Sequence, residues 1–383
     1  MREFGPSLRG HFHLEPGVDF INHGSFGAAP AEVLAAAARW RERMEANPDH
    51  FFREILPGAL REAAAALAAF IGGRPCDVAL VENATAGMNA VLRSLRFSPG
   101  DEILASSHMY GAVRQAIRHV CEVSGARLVE AALALPVDRE DALLAPLAER
   151  LSGRTRLLVI DHIASPTGLI FPVARLAALG REKGARVLVD GAHAPGQIAL
   201  NVDALGADWY VGNCHKWLFA PRGCGFLWAH ERAQAGVHPL SISHDYGQGF
   251  AAEFDWTGTR DPAAWLALVD ALRFIEAAGA ERVRAYNHAL AADAAQRIAS
   301  AWGTAIDGPA ALHGSMMAIR MPARLMRALP ADRNGARELQ SRLFAEQRIV
   351  VAVMALGGAL WARISAQIYN APEDYERLRA LGV

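Results

Sequence analysis

The sequence predicts an α/β fold with a large domain, built on a mainly parallel seven-stranded sheet between helices, and a smaller α+β C-terminal domain. Between residues 78 and 229, seven short β-branched or apolar runs alternate with helical stretches. This alternation is typical of parallel strands covered on both faces. After Pro262 the pattern changes to two long helices followed by three strands. A chain of 383 residues, 52% of them hydrophobic, is long enough to fill both cores.

The individual elements follow from these patterns. The strands of the large domain are predicted at 78–81, 102–105, 127–130, 155–160, 185–189, 209–212 and 225–228. Alanine-rich stretches such as 62–70 are predicted to be helices, because alanine is the best helix former and the apolar spacing is helical. In the C-terminal part we expect helices at 263–278 and 280–301 and strands near 315–321, 348–353 and 360–364.

Three segments make up the predicted domain organisation. Residues 1–50, including a helix begun by Pro30, should pack across the join between the domains. Residues 51–260 form the large domain and residues 261–383 the small one.

Composition excludes several classes of function. Thirty-nine basic against 40 acidic side chains give a formal charge of −1, and no basic stripe is interleaved with aromatics, so nucleic acid is not an expected partner. No stretch approaches the roughly 20 apolar residues that span a bilayer, and the N-terminus lacks a signal-peptide pattern. We therefore expect a cytoplasmic protein without membrane contact. The four cysteines fit neither a zinc site nor a disulfide framework and are expected to be reduced thiols: Cys76, Cys121, Cys214 and Cys224.

Lys216 and Asp190 form the most informative pair in the chain. Lys216 follows the apolar run 209–212 and lies between His215 and Trp217, a poor place for a solvated surface cation. Asp190 ends an earlier apolar run 26 positions upstream, where a carboxylate is costly to bury without a partner. A Schiff-base lysine with an acid at a protonated ring nitrogen is the arrangement of pyridoxal phosphate (PLP) enzymes. The structural alternatives are a snorkelling lysine and an acid that caps a helix or forms a salt bridge.

Two segments have the features of a phosphate site. In segment 81–89 a strand gives way to a helix, so that the backbone N–H groups near Ala84 and the Thr85 hydroxyl are suited to hold a phosphate. An ordinary helix cap explains the same residues. His215 is a further donor, and the glycine-containing segment 254–261 is either a second phosphate loop or a plain connection.

Four more positions are candidates for contact with a cofactor ring or a substrate. Tyr110 lies where a strand gives way to a helix and either stacks on a ring or packs in the core. The segment 161–168 and His193 are suited to contact a ring oxygen or substrate, although both also read as tight turns. Arg363 alternates with apolar residues on a strand, so it either grips a carboxylate or forms a structural ion pair. The segment 21–27 has the small residues and donors of a substrate-contacting loop.

Taken together, these motifs resemble the class V aminotransferase family of fold-type I PLP enzymes (PLP-dependent transferase-like fold). Within it the chain is most similar to the isopenicillin N epimerase group, which includes cysteine and cysteine-sulfoxide lyases. The resemblance runs over nearly the whole chain and depends on the order and spacing of its motifs: Asn22 to Gly27, Asn83 to Thr85, Tyr110, Asp161 to Gly168, Asp190 to His193, His215 to Trp217, Trp256 to Thr259 and Arg363 to Ser365.

The resemblance implies a role for each matching position. It implies that Lys216 forms the Schiff base, Asp190 pairs with the pyridine nitrogen and Tyr110 stacks on the ring. It implies a cofactor-binding set that also contains Ala84, Thr85, Asp161, Thr167, His193, His215, Trp256, Thr257 and Gly258, with Ala84, Thr85 and His215 at the phosphate and His193 near the ring oxygen. It implies substrate contacts from Asn22, His23 and Ser25 and a carboxylate clamp at Arg363, and no metal.

The resemblance also implies a homodimer. In this family the loop that matches Trp256 to Thr259 reaches the phosphate of the neighbouring subunit, which puts the active sites at the subunit interface. Asn213 departs from the serine or threonine often found two positions before the histidine, so a direct contact of Asn213 with the phosphate is in doubt.

The predicted function is a PLP-dependent enzyme acting at the Cα of an amino acid or amino-acid derivative, epimerase-like, with Lys216 as the base. The alternatives are a C–S lyase and an aminotransferase. Epimerisation needs a second acid, for which Tyr110 or a histidine is the candidate. A persulfide-forming desulfurase is disfavoured because no cysteine follows Cys224.

Two other classes are disfavoured. A nicotinamide oxidoreductase would need a Gly-x-Gly-x-x-Gly turn, and residues 82–87 do not provide one. A non-catalytic binding protein would have little need for Lys216, Asp190 and Arg363 together.

Overall fold

The structure is a computed structural model that describes residues 3–326 and 329–381. Within these ranges the strands are β1 (Asp19–Phe20), β2 (Val78–Val81), β3 (Glu102–Ser106), β4 (Arg127–Ala131), β5 (Thr155–Asp161), β6 (Arg186–Asp190), β7 (Trp209–Asn213), β8 (Gly225–Ala229), β9 (Met316–Arg320), β10 (Ile349–Val350), β11 (Ala352–Leu356) and β12 (Ala359–Ser365).

The α-helices are also numbered in chain order. They are α1 (Pro6–Arg9), α2 (His23–Phe26), α3 (Ala31–Ala46), α4 (Pro48–His50), α5 (Leu56–Ile71), α6 (Ala84–Ser94), α7 (Gly111–Ser124), α8 (Asp141–Arg150), α9 (Val173–Glu182), α10 (Phe250–Asp255), α11 (Ala263–Leu266), α12 (Leu268–Ala278), α13 (Ala280–Trp302), α14 (Arg333–Gln347) and α15 (Glu376–Ala380).

The main sheet has seven strands in the order β2-β8-β7-β6-β5-β3-β4. Strand β8 is antiparallel to both of its neighbours, and every other adjacent pair is parallel. The predicted α/β fold with a mainly parallel seven-stranded sheet is confirmed. Several strands extend one residue beyond the predicted run, into a polar residue, because the ladder is made by backbone groups and tolerates any side chain at its end.

Helices cover both faces of this sheet, as its apolar strands require. On one face the buried residues of α5, α9 and α12, among them Leu67, Leu176 and Ile275, form one hydrophobic core. On the other face α6 and α7 contribute Met88 and Ile117 to a second core. The central strands are therefore buried on both sides, and their ends are open to a ligand, whereas the edge strand β4 is partly exposed.

The C-terminal part contains a three-stranded antiparallel sheet in the order β11-β12-β9. Helices α13 and α14 pack on it, with Ile298, Leu339 and Ile364 in a third core. The hairpin between β11 and β12 turns at Gly357 and Gly358, whose φ angles are 55° and 72°, values that favour glycine. The predicted run 348–353 is divided between β10 and β11.

The N-terminal segment reaches both parts of the fold. Strand β1 pairs in parallel with β10, and α3 packs through Ala36 and Ala37 on Ala263 and Ala267. Sequence patterns do not reveal β1, because a two-residue strand depends on its distant partner. The domain limits at residues 50 and 260 stay a prediction.

No helix in the described ranges is long and apolar enough to cross a membrane. The cytoplasmic location stays a prediction. Within the same ranges, no three histidine, cysteine or acidic side chains are grouped in a way that would hold a metal ion.

Candidate active site

Polar residues end four strands at the carboxyl edge of the main sheet: Ser106 on β3, Asp161 on β5, Asp190 on β6 and Asn213 on β7. Asp161 and Asp190 are direct neighbours in the register of β5 and β6. The N-terminus of α6, which follows β2, lies at the same edge, because Asn213 accepts a hydrogen bond from its first residue, Ala84. In α/β sheets this edge is where ligands bind.

A cavity of about 510 Å³ opens at this edge. Its volume is within the range of about 300–1,000 Å³ that is usual for small-molecule sites. Nine of the predicted site residues line it: Ser25, Ala84, Thr85, Tyr110, Asp161, Asp190, His193, His215 and Lys216. The fold therefore brings together residues that are distant in the sequence.

Lys216 lies at the wall of this cavity with its Nζ 3.0 Å from Nε2 of His193. Burial lowers the pKa of Lys216 to about 7, with the charge of Arg363 acting in the same direction and Asp190 opposing it. Much of the lysine is therefore an uncharged amine near neutral pH, the form that acts as nucleophile or base. The chain has one other lysine, Lys183, which is exposed at the end of α9.

The two carboxyl groups at the edge are poorly neutralised. Asp190 accepts a hydrogen bond from the Ala192 N–H at 3.0 Å, and burial raises its pKa. Burial also raises the pKa of Asp161 well above its ordinary value, the neighbouring Asp190 adds to this, and the Ser106 hydroxyl, 3.4 Å away, opposes it. Two adjacent buried acids favour the binding of a positively charged group in the cavity beside them, such as a protonated ring nitrogen.

His193 lies between the lysine and the loop after β5. Its Nε2 is 3.0 Å from Lys216 Nζ and 3.3 Å from the Ser165 hydroxyl. Its Nδ1 accepts a hydrogen bond from the Trp217 indole N–H at 3.4 Å. The ring is thus in contact with the lysine and at a wall of the cavity, where a ring oxygen would be within its reach.

The start of α6 differs from the expected phosphate cup in one respect. Asn83 caps the helix by accepting from the Ala86 N–H at 2.9 Å, and Asn213 accepts from the Ala84 N–H at 2.9 Å. The Ala84 amide is therefore occupied by Asn213, and Thr85 is the donor of the first turn that lines the cavity. Asn213 acts here as a second cap for the helix.

His215 has a fixed tautomer. Its Nδ1 lies 2.9 Å from the Cys224 carbonyl oxygen, which only accepts, so Nδ1 carries a proton. Burial lowers the pKa of His215 to about 4, and the neutral ring has a lone pair on Nε2. His215 must take up a proton before Nε2 donates to a phosphate, and a bound anion would favour that uptake.

Arg363 on β12 is 1% exposed and lies behind Ser25 and Ser165, which line the cavity. It donates to the Ser165 carbonyl, to Asn22 Oδ1 at 3.3 Å and to Ser25 Oγ at 3.2 Å. Its buried Nε has no partner in the described part of the chain. Burial lowers the pKa of Arg363 to about 10, which leaves it charged at neutral pH. A buried cation held by neutral groups favours an anionic ligand such as a carboxylate.

His23 lies behind Lys216 and not in the cavity. The ring is fully buried, and its Nε2 donates to the Lys216 carbonyl at 2.9 Å while Nδ1 accepts from the Tyr369 hydroxyl at 2.8 Å. Burial lowers the pKa of His23 to about 4. The structure thus gives His23 a supporting position under the lysine backbone in place of the expected substrate contact.

Gly27 and Asn22 also have supporting positions. At Gly27, with φ 69°, an added Cβ would overlap the carbonyl oxygen of His215. Asn22 accepts hydrogen bonds from Ser25 and Arg363 and is itself buried. Of the four predicted substrate residues, Asn22, His23, Ser25 and Arg363, only Ser25 lines the cavity.

Four more predicted residues lie elsewhere. Thr167 is fully buried, and its hydroxyl accepts from the Leu169 N–H at 3.4 Å. The Trp256 ring packs against Phe52, with the ring centres 5.9 Å apart. None of Trp256, Thr257 and Gly258 lines the Lys216 cavity of its own chain.

Two residues of the site have no signal in the sequence. Arg222 lines the cavity and donates to the Gly27 carbonyl at 3.2 Å, but its local sequence is that of an ordinary turn. Trp217 was expected only to make the surroundings of the lysine apolar, and its hydrogen bond to His193 depends on the fold. Ser165 was part of the predicted loop, but its contacts with His193 and Arg363 were not expected.

Comparisons with known proteins identify the family of the chain. Residues 26–331 match the model of the aminotransferase class-V family. An L-cysteine desulfhydrase of Arabidopsis thaliana is 34% identical, over 96% of this chain and 87% of its own length. An isopenicillin N epimerase of Streptomyces clavuligerus is 33% identical, over 97% of this chain and 95% of its own.

Solved structures show the same fold. The cystine C–S lyase C-DES in complex with cysteine persulfide has a TM-score of 0.81 and 22% identity, covering 96% of this chain and 97% of its own. The cysteine desulfurase CsdA of Escherichia coli has a TM-score of 0.79 and 21% identity, covering 99% and 98%. The chain therefore belongs to the aminotransferase class-V family and is a PLP-dependent enzyme of the lyase or epimerase type.

Proposed function

We propose that the protein is a C–S lyase that cleaves L-cysteine, or a related cysteine derivative, to a sulfur species, pyruvate and ammonia. The observation that carries the proposal is a free-base lysine in a cavity without a thiol. Lys216 is the base, no cysteine is among the residues that line the cavity, and Cys214 and Cys224 are fully buried. β-Elimination needs a base at Cα but no nucleophilic thiol and no second acid. The desulfhydrase relatives support this choice over the epimerase that the sequence analysis placed first.

The residues of the cavity fit PLP. Asp190 is a buried acid suited to a protonated ring nitrogen, Tyr110 offers an aromatic face, and His193 is suited to the ring oxygen. Thr85 and His215 are suited to the phosphate. When bound, the cofactor supplies an electron-withdrawing ring that stabilises negative charge at the substrate Cα.

Arg363 orients the substrate in this proposal. Its uncompensated charge attracts the α-carboxylate toward Ser25, whose hydroxyl accepts from Arg363 and lines the cavity. A carboxylate held there fixes the direction of the Cα–H bond, which is the main contribution of a binding residue to proton transfer.

Lys216 then moves the proton. Its amine takes the proton from Cα, the Cβ–S bond breaks, and the electron pair leaves with the sulfur as hydrosulfide or thiolate. Because the pKa of Lys216 is about 7, the same group both accepts a proton at neutral pH and returns it to the leaving sulfur or to water. The three-carbon remainder is released as an enamine, which water hydrolyses to pyruvate and ammonia. No oxidant or reductant is consumed.

Epimerisation is the second candidate. One observation favours epimerisation, namely the share of each relative that aligns with this chain. The alignment covers 95% of the epimerase of Streptomyces clavuligerus and 87% of the Arabidopsis desulfhydrase. Tyr110 lines the cavity and would be the second acid. The two reactions share proton removal by Lys216 and differ in where the next proton goes.

The homodimer stays part of the proposal. Phe26 and Tyr110 at the cavity are 71% and 46% exposed, and Leu240, Ile242 and Tyr246 are also exposed. Exposed apolar side chains of this kind mark association surfaces. The Thr257 hydroxyl has no hydrogen-bond partner in the described part of the chain, and in the proposed dimer it would donate to the phosphate held by the neighbouring subunit. Light scattering should give twice the chain mass.

Product analysis tests the proposed reaction. Protein with added PLP is incubated with L-cysteine, and sulfide, pyruvate and ammonia are measured with the enantiomer ratio of the remaining cysteine. We expect equal amounts of the three products and no D-cysteine. Accumulation of D-cysteine without pyruvate would establish the epimerase instead, and keto-acid exchange would establish an aminotransferase. Lys183→Arg, at the chain's other lysine, should not change the products.

A further inference from the structure

We propose that Trp217 is a positioning residue whose indole N–H fixes the proton of His193 on Nε2, so that His193 donates to Lys216 and keeps it an uncharged amine. This inference rests on the proposed role of Lys216 and adds a residue to that site. It concerns the protein before the cofactor is bound.

The indole of Trp217 determines which nitrogen of His193 carries the proton. The Nε1–H of tryptophan only donates, and in the structure it points to His193 Nδ1 at 3.4 Å. Nδ1 must therefore accept, so it carries no proton. A neutral imidazole has one N–H, which is then on Nε2. The tautomer of His193 thus follows from the identity of its neighbour.

Two groups lie near the Nε2 proton of His193. Nε2 lies 3.0 Å from Lys216 Nζ and 3.3 Å from Ser165 Oγ. An ammonium group offers only donors, so a charged Lys216 would direct a donor at the Nε2–H. An uncharged amine has a lone pair that accepts it. The lowered pKa of Lys216 and the pKa of His193, which burial lowers well below its ordinary value, are consistent with this arrangement.

Other charged groups also face Lys216 and His193. Their effects on the pKa of Lys216 are separate from the effect of the His193 tautomer. Asp190 on β6 favours the ammonium form of Lys216, while Arg363 on β12 disfavours it. His215 and Arg363 both act on the pKa of His193, and Asp161 and Tyr110 share the cavity wall. All of these groups stay in place when Trp217 is replaced, so a change in the protonation of Lys216 would report on the tautomer.

The backbone holds the two rings in this orientation. Gly196 has φ 87°, and an added Cβ would overlap the carbonyl oxygen of Trp217. Gln197 Nε2 donates to the His193 carbonyl at 2.8 Å, and its Oε1 accepts from the Ser315 N–H at 2.6 Å. The loop after β6 is therefore tied to the tryptophan on one side and to the C-terminal part on the other.

The low lysine content of the chain makes a direct test possible. In a Lys183→Arg background, Lys216 is the single lysine. The cofactor-free protein is reductively methylated over a range of pH, and the rate at Lys216 is followed by peptide mass spectrometry. The pH dependence gives the pKa of this one amine without any measurement of catalysis.

Trp217→Phe removes the N–H and keeps an aromatic ring. His193 is then free to place its proton on Nδ1 and to accept from a lysine ammonium, so we expect the pKa of Lys216 to rise by about one unit. Methylation at pH 7 should slow by about fivefold. An unchanged pKa in a folded Trp217→Phe protein would overturn the proposal, whether or not the protein is a C–S lyase.

Trp209→Phe is the matched control. Trp209 is also fully buried, and its indole N–H donates to the Ala233 carbonyl at 2.9 Å, away from His193. The control loses a buried tryptophan hydrogen bond but should leave the pKa of Lys216 unchanged. A similar shift in both variants would show a general effect of destabilisation and would count against Trp217.

A second measurement reads the tautomer of His193 in the wild-type protein. Nitrogen-15 NMR of ring-labelled histidine distinguishes the two neutral tautomers and the imidazolium, and comparison with His193→Gln identifies the signal among the 14 histidines. We expect the wild-type protein at pH 7 to show His193 neutral with its proton on Nε2. A proton on Nδ1 would exclude the proposed hydrogen bond.

Discussion

The two edges of the main sheet both carry buried acids, but the pKa values of these acids are shifted in opposite directions. At the amino edge, Glu102 is 4% exposed and accepts from the Ser152 hydroxyl at 2.7 Å and from Arg127 and Arg154 at 2.7 and 3.0 Å. The Ser152 hydrogen bond and the two arginines hold the pKa of Glu102 below its ordinary value. At the carboxyl edge, Asp190 is 5% exposed, and burial raises its pKa.

The direction of the pKa shift distinguishes acids that stabilise the fold from acids that are available to bind a ligand. Both carboxylates are nearly inaccessible to water, but Glu102 lies near the surface beside the exposed Arg127 and Arg154, whereas Asp190 lies deep in the protein. The direction of each pKa shift therefore follows from the depth of burial and from the donors around the carboxylate. Where donors and cations surround the carboxylate, its hydrogen-bonding capacity is used within the chain. Where they do not, capacity remains for a ligand, and perturbed groups of this kind are concentrated at functional sites. The carboxyl edge is therefore assigned to chemistry and the amino edge to stability.

The largest expected effect is that of Lys216→Ala. Without the amine at the carboxyl edge, the protein should neither hold the cofactor covalently nor remove the Cα proton, so sulfide release should fall to background. The absorbance of the bound cofactor and the rate of sulfide release from L-cysteine are the measurements. Lys183→Arg should keep both, and a Lys216→Ala protein that retains activity would refute the assignment of the edge.

Asp190→Asn should come next. An amide cannot stabilise a protonated ring nitrogen, so we expect kcat to fall by about 10²- to 10³-fold while the fold persists. Asp208→Asn is the control from the amino edge, where Asp208 accepts from the Val187 N–H at 2.8 Å and from Arg232 at 2.9 Å. The control should lower stability and leave kcat nearly unchanged. Equal kcat values for the two variants would remove the distinction between the edges.

Arg363→Lys tests the substrate end of the carboxyl edge. Lysine keeps the charge but cannot offer the two parallel N–H donors of a guanidinium, so we expect KM for L-cysteine to rise by about 10- to 100-fold with a smaller change in kcat. Steady-state kinetics measures both. A variant with an unchanged KM would show that the α-carboxylate binds elsewhere.

The smallest effect is expected at the amino edge. Glu102→Gln should lower the free energy of unfolding by about 1–3 kcal/mol at pH 7 without changing kcat. Because the folded-state pKa of Glu102 is lowered, its contribution is present above its ordinary pKa of 4.5 and is lost as pH falls through the folded value. Urea unfolding should therefore show the variant and wild type converging in acid. A gap that widens in acid would contradict the sign of the shift.

Local patterns predicted much of this sheet and its edge. Apolar runs that end in a polar residue gave the strands and marked Asp161, Asp190 and Lys216, because each signal is contained in a few adjacent residues. The support behind the lysine could not be predicted in this way. His23 meets Tyr369 across 346 positions and Lys216 across 193, and such contacts exist only once the fold is complete.

The same limit applies to Arg363 and Trp217. A strand pattern showed that Arg363 would be buried, but not that Ser165, Asn22 and Ser25 would be its partners. Nothing in the residues beside Trp217 indicates a hydrogen bond to a histidine 24 positions away. Residue types in the sequence indicated candidates for the site, and the fold determines which of them face the cavity.

Reductive trapping tests most directly whether Lys216 is the amine that binds the cofactor. The protein is incubated with PLP, treated with borohydride to fix the bond between cofactor and amine, and mapped by peptide mass spectrometry. With two lysines in the chain the result is unambiguous. We expect a stoichiometric pyridoxyl group on Lys216 and none on Lys183, whereas a label on Lys183 alone, or no label, would refute the role of Lys216 as the Schiff-base lysine.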